Sequence, residues 1–315
     1  MKRQVIFDCD PGHDDAIALL LALSNENLDV KLITTSAGNQ TQEKVLLNTK
    51  KLLSFIGVID IEVARGAEKP LIRELIIADN IHGETGLDGS DLGTPLFEES
   101  KRSALEAMRE LLSVTEDKLT IIATGPLTNI AILLLAYPEL KEKIDCISLM
   151  GGAALGGNWT PAAEFNIYVD PEAANIVFES GVPIIMSGLD VTTQARLYKE
   201  DIERIRNIGN KTSNIIAPLL DFFSENSPPY YMSKDGYFKG AHMHDPCAVA
   251  YLIDPTIFNG ITCNVSVETS GKLTTGTTVV DVNQRTGKVK NTEVLFEIDR
   301  ERFVNMLVSA IGYYK

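Results

Sequence analysis

The sequence predicts an α/β protein with an open, mostly parallel central sheet and helices on both of its faces. Three observations lead there. Apolar runs of strand length recur along the chain, stretches of helical periodicity alternate with them, and clusters of Gly, Pro, Asn and Asp separate the two. Strands that read as unbroken apolar runs, rather than as alternating ones, are those covered on both faces.

Taken in order, the apolar run at residues 5–7 is the first strand, and a helical pattern follows over about residues 14–24. A β-branched run at 30–35 precedes helical spacing over 42–55. "KLTIIATGPLTNIAILLLAYP" reads as strand, turn and helix over 118–138, and "CISLMGGA" as a buried strand from Cys146. "DPEAANIVFESG" is a helix ending at Gly181, and "VPIIMSGLDVT" a further strand from Val182. The long loop over residues 67–95, with "ADNIHGETGLDG", is a candidate flap. With no linker, internal repeat or low-complexity tract, residues 1–315 are expected to form one domain.

Hydrophobic residues make up 44% and charged residues 23%, enough to build a sizeable core. The formal net charge of −14 would repel phosphate backbones and anionic lipid, so neither nucleic acid nor a membrane is an expected partner. The apolar stretch before Asp8 is too short for a signal-peptide core, and no segment approaches the roughly 20 apolar residues of a membrane span. A cytoplasmic protein is expected. Four cysteines, Cys9, Cys146, Cys247 and Cys263, lie far apart without a CxxC pair, which suits small, reduced core residues and argues against thiolate zinc.

In parallel sheets, ligands bind outside the carboxyl ends of the strands. The segments that follow the strands here are "DCDPGHDD", "TSAGN", "ATGPLTN", "MGGAALGGNWTPAAEFN" and "SGLDVT", so one rim of the sheet is expected to be polar and acidic. "DCDPGHDD" is its most informative part, with Asp8, Asp10, Asp14 and Asp15 brought together by the Pro11-Gly12 turn. Asp14 and Asp15 could serve the start of a helix by capping it and complementing its dipole. That leaves Asp10 beside Asp8 unexplained, and a hard cation accounts for all four better. Carboxylates without thiolates suit calcium or magnesium. An EF-hand is excluded by Pro11 and Gly12 and by Leu19 at the twelfth loop position, so further ligands must come from distant loops.

Other chemistries fail on inspection. No two glycines are spaced i, i+2, and GxxxxGK[ST], GxSxG and HExxH are absent. "DCDPG" approaches the DxDx[TV] strand end of haloacid-dehalogenase-type phosphatases, but Gly12 stands where that motif needs Thr or Val. In "GGNWTPAAEFNIYVDPEAA", Asn158, Glu164 and Asn166 could read several hydroxyls at once, or belong to a surface loop with a turn at Thr160-Pro161. In "GAHMHDPCAVAYLI", His244 and Asp245 could be no more than a helix cap.

Together the three stretches resemble the inosine-uridine nucleoside hydrolase family over nearly the whole length. "DCDPGHDDA" matches its DxDPGxDD signature, and "EFNIYVDPEAA" and "HDP" follow in the expected order. "SAGNQT", "RELIIADNIHGETGLDG", "GNWTPAAEFN" and "HDPC" look most like the bacterial pyrimidine-preferring members. The resemblance implies a calcium ion held by Asp10, Asp15, Asp245 and the backbone carbonyl of Thr124. It implies ribose hydroxyls read by Asp14, Asn39, Asn158, Glu164 and Asn166, and active-site histidines at His82 and His244. Tyr230, Tyr231 and Tyr237 lie in a stretch that varies among relatives. The implied activity is hydrolysis of the N-glycosidic bond of ribonucleosides, uridine and cytidine above all, by a homodimer or homotetramer. Asp10 is then the expected general base and His244 the expected proton donor to the leaving base. A non-catalytic, calcium-dependent nucleoside or sugar binder would keep the same hydroxyl-reading residues.

Overall fold

The computed structural model describes residues 2–226 and 240–315, together with the backbone of Met232–Ser233 and Gly236–Tyr237. Tyr230, Tyr231 and the side chain of Tyr237 lie outside the described residues. The strands in chain order are β1 (Arg3–Cys9), β2 (Leu28–Thr35), β3 (Glu62–Arg65), β4 (Leu119–Ala123), β5 (Ile144–Met150), β6 (Ile184–Ser187), β7 (Arg196–Leu197), β8 (Met232–Ser233), β9 (Gly236–Tyr237), β10 (Ala241–His242), β11 (Phe258–Val267), β12 (Thr278–Asp281) and β13 (Thr292–Ile298).

Among the described residues, nine of these form one sheet in the order β12-β11-β13-β6-β5-β4-β1-β2-β3. Every pairing from β13 to β3 is parallel, and β11 pairs antiparallel with both β13 and β12. The expected fold class is therefore the one observed. Side chains of β1 alternate between two cores: Val5, Phe7 and Cys9 pack with the helices His13–Ser24, Lys211–Asn226, Pro246–Ile253 and Arg300–Tyr313. Ile6 packs on the other side with Ala104–Val114, Thr128–Ala136 and Pro171–Phe178. All four cysteines are free and buried, as expected of core residues. No helix among the described residues is long and apolar enough to cross a membrane.

The strand order reverses at β1: the chain runs outward through β2 and β3, then returns to place β4 on the other flank. A crevice opens at such a switch point, beyond the carboxyl ends of the two central strands. Here those ends are Cys9 and Ala123, so Asp10 and Thr124 are the first residues past the ladder, and the Thr124 N–H still donates to the Asp8 carbonyl at 2.9 Å.

Several boundaries differ from those expected, two of them next to the site. The helix read as ending at Gly181 ends at Phe178, and the strand from Val182 is only Ile184–Ser187. Ser187 pairs with Met150, the last residue of β5, and the ladder goes no further although β13 runs on beside it to Ile298. The backbone closes on itself instead in the turn of helix Leu189–Thr192, with the N–H groups of Val191 and Thr192 donating to the Gly188 carbonyl.

Candidate active site at the switch point

The floor of the crevice is acidic. Asp10 leaves β1, Pro11-Gly12 turns the chain, and the helix His13–Ser24 begins at once, which puts Asp14 and Asp15 in its first turn. Asp245 arrives from the far end of the sequence at the start of helix Pro246–Ile253. One carboxylate oxygen from each of Asp14, Asp15 and Asp245 lies within 4.8 Å of the others. Asp15 is held from three sides: by the Thr124 hydroxyl (2.7 Å), the Asn39 amide (3.1 Å) and the Gly12 N–H (3.0 Å). The bland capping role weighed for it is thus real, but it is one of several bonds. The Asp245 N–H points at Asp14 at 3.4 Å.

Asp10 is fully buried and does not line the pocket itself. Its Oδ2 accepts from the Asn39 N–H at 2.7 Å, while Oδ1 has no hydrogen-bond partner among the described residues. Gly38 and Gly125 make room for this carboxylate, since a Cβ on either would meet its oxygens at 2.1 Å and 2.6 Å. Asp8, grouped with the other acids on sequence grounds, belongs elsewhere. It bonds Thr34 and Asn129 on the face of the sheet covered by helix Thr128–Ala136, because a strand residue two before Asp10 is still bound by the alternation of the pleat.

Burial pushes every one of these acids up, Asp14 to about 7 and Asp8 to about 7. For Asp10 and Asp245 mutual repulsion adds to it, and both stand well above the usual carboxylate range. Among the described residues no Lys or Arg forms an ion pair with any of them. An all-oxygen donor set, one of whose buried oxygens is unsatisfied, fits a hard cation and offers nothing to a soft one. The Thr124 carbonyl, expected among the ligands, accepts from the Asn166 amide at 2.8 Å.

The rim carries hydrogen-bonding side chains. Asp14, Asn39, Asn158, Glu164 and Asn166 all line one pocket with Thr124, Asp245, His82 and His244. Glu164 caps the short helix Phe165–Val169, accepting from the N–H groups of Asn166 (3.0 Å), Ile167 (3.2 Å) and Gly152 (2.9 Å). Burial outweighs these bonds and raises its carboxyl to about 7. Asn158 accepts from the Phe165 N–H at 2.9 Å, so the loop over 154–163 folds back on the rim instead of standing free.

Imidazoles and aromatic rings form the ceiling. The flap carries the short helix Asp79–His82, which brings Ile81 and His82 to the pocket. It is pinned by Ala78 N–H to the Asn39 carbonyl (3.1 Å), by Asn48 to the Thr85 carbonyl (2.9 Å) and by Leu71 N–H to Asp170 (2.9 Å). His244 faces the Thr192 hydroxyl at 2.7 Å. His82 and His244 are buried, which holds both imidazoles well below their ordinary titration range, and each is lowered further by a neighbouring histidine. His82 and His244 line the same pocket. Sequence reasoning missed His13, Phe223, Met150 and Thr192. His13 stood in full view inside "DPGHDD", whereas Phe223 lies on a helix whose pattern is that of any core helix.

The architecture defines a class first. Solved nucleoside hydrolases share it end to end: the purine-preferring ribonucleoside hydrolase from Gardnerella vaginalis superposes with a TM-score of 0.90 over 98% of each chain at 30% identity. The inosine-guanosine nucleoside hydrolase does so with a TM-score of 0.89 over 100% of each chain at 27% identity. The chain belongs to the inosine-uridine preferring nucleoside hydrolase family, whose model matches residues 5–305. It is therefore a hydrolase, and the phosphatase reading of "DCDPG" loses its footing. Curated relatives include the pyrimidine-specific ribonucleoside hydrolase RihA of Photobacterium profundum, 54% identical over 314 residues and the whole of both chains. The enzyme of that name from Escherichia coli O1:K1 / APEC is 52% identical, again over the whole of both.

Proposed function

We propose that this enzyme hydrolyses pyrimidine ribonucleosides, uridine and cytidine, to ribose and the free base, with calcium held by Asp10, Asp15, Asp245 and the Thr124 carbonyl. The observation that carries this reading is the convergence of buried acids at the switch point under a rim of hydroxyl-reading groups. Calcium, when bound, supplies the positive charge that keeps these carboxylates ionised and polarises the attacking water. Asp14, Asn39, Asn158, Glu164 and Asn166 hold the ribose by its hydroxyls. As the bond to the base lengthens, positive charge grows on the sugar ring. Asp10, through its unsatisfied Oδ1, takes the proton of a water arriving opposite the base. His244 protonates the departing base, and His82 contacts it from the flap.

Pyrimidine preference draws its support from the relatives at 52% and 54% identity that are named for it. The fold alone does not carry it, since a chain that superposes equally well is named purine-preferring. The test is to incubate the purified protein and calcium with uridine, cytidine, inosine and adenosine separately and follow ribose release. Larger specificity constants for uridine and cytidine are expected. Constants favouring inosine would overturn the preference, and binding without turnover would replace the enzyme by a nucleoside binder.

A further inference from the structure

His13 has no part in the reading so far, yet it is fully buried against the ceiling of the pocket. Its ring lies within 20° of parallel to three others, with centroids 5.1 Å from Phe223, 5.4 Å from Phe222 and 5.4 Å from His82. Two contacts then decide where its proton sits. Nε2 is 2.8 Å from the Asp88 carbonyl oxygen, which only accepts, so Nε2 carries a hydrogen. In a neutral imidazole Nδ1 is then bare, and this Nδ1 lies 3.1 Å from Nδ1 of His82. Two lone pairs do not face each other at that distance, so the hydrogen between the rings belongs to His82. The His13 main-chain N–H also points at His82 Nδ1, at 3.3 Å, and on its own would favour the opposite tautomer; the shorter ring-to-ring contact is the one on which the inference stands.

We propose that His13 is a positioning residue that fixes His82 in the tautomer protonated at Nδ1, leaving a bare Nε2 as the nitrogen His82 offers to the nucleobase. A Cβ placed on Gly12 would meet His82 at Nδ1 and Cε1, which puts that edge of the ring against the helix start and leaves Nε2 for the pocket that His82 lines. The inference rests on reading this pocket as a nucleoside site and sharpens it. His82 is an acceptor for an N–H of the base, such as N3–H of uracil or the exocyclic amine of cytosine. It is not the acid that protonates the leaving group, and that proton comes from elsewhere in the pocket.

With four histidines in the chain, ¹⁵N NMR of the histidine-labelled protein, assigned with His82→Ala, reads the tautomer directly. A protonated Nδ1 and a bare Nε2 on His82 are expected, and the reverse pattern overturns the proposal whether or not the protein turns over nucleosides. In kinetics, His13→Leu keeps bulk but removes the acceptor, while His13→Asn returns an amide oxygen near the position of Nδ1. We expect His13→Leu to lose about 10–100-fold in kcat/KM on uridine, the usual scale for a partner that orients a functional imidazole. The loss should fall mainly on KM, because the N–H that His82 receives is already present in the bound substrate. His13→Asn should recover most of it. Equal losses in the two variants, with the His82 tautomer unchanged in both, would mean that His13 only fills space and would overturn the proposal.

Discussion

The floor and the ceiling of the pocket are both buried and face opposite electrostatic problems. Burial drives both toward neutrality: it raises Asp10, Asp14 and Asp245, and it lowers His13, the last of these to about 4. On the floor neutrality is a fault, because a protonated carboxyl is neither a base nor a cation ligand. On the ceiling it is an asset, because a neutral imidazole keeps one accepting nitrogen and one donating nitrogen. On the proposed reading the floor takes a cation from outside the chain, whereas the ceiling is completed by Phe223, Thr192 and Asp88 from within it. The elements that carry them differ accordingly. Strand ends and helix starts hold the acids, and a flap and helix Lys211–Asn226 surround the imidazoles.

The largest expected effect lies on the floor. Asp10→Asn keeps the Asn39 bond geometry but removes the base, and should cut turnover of uridine by about 10²–10⁴-fold, the range of general-base catalysis. If most activity survived, the floor would only bind and the comparison would collapse. A smaller effect is expected from the ceiling. His244→Ala should lower turnover of uridine by about 10²-fold, the low end for a general acid, and that of a nitrophenyl riboside far less, since nitrophenolate leaves without a proton. Equal losses on both substrates would make His244 a support for the adjacent Asp245 and move the proton donor elsewhere.

How much of this was legible depends on how locally each part is encoded. The floor reads easily because Asp10, Asp14 and Asp15 fall within six residues around a Pro-Gly turn, and a parallel sheet tells which strand ends matter. Asp8 does not join them, because it still lies within the ladder of β1 whereas Asp10 is the first residue past its end, which a count of acids does not reveal. His82 and His244 were accessible only by resemblance. Their environment was not, because the His13 pair depends on a loop returning over 69 residues, and Phe223 arrives from a helix more than two hundred positions from His13. Likewise "SGLDVT" carries strand-like residues, yet Leu189–Thr192 is a helical turn closed on the Gly188 carbonyl, and it supplies Thr192.

The smallest expected effect is on stability, and it separates floor from ceiling by its sign. In chelated protein, Asp14 is held up to about 7 from an ordinary value of 3.8, and Asp10 and Asp245 stand well above that value. Between about pH 4 and 7 the folded state therefore binds protons that the unfolded chain has released, and stability must fall as pH rises through that window. Each whole proton contributes a slope of roughly 1.4 kcal/mol per pH unit. The lowered histidines act oppositely, since His13 and His242, both held down to about 4, leave the folded state short of protons below the ordinary histidine range, so they favour stability as pH rises toward 6.5. Calcium should reverse only the floor's contribution, because the ion binds the ionised carboxylates and protons compete with it. The melting temperature with calcium minus that with chelator should thus widen steadily from pH 5 to pH 8. Two parallel curves, or a gap that closes with rising pH, would mean that the acids are not where the cation binds.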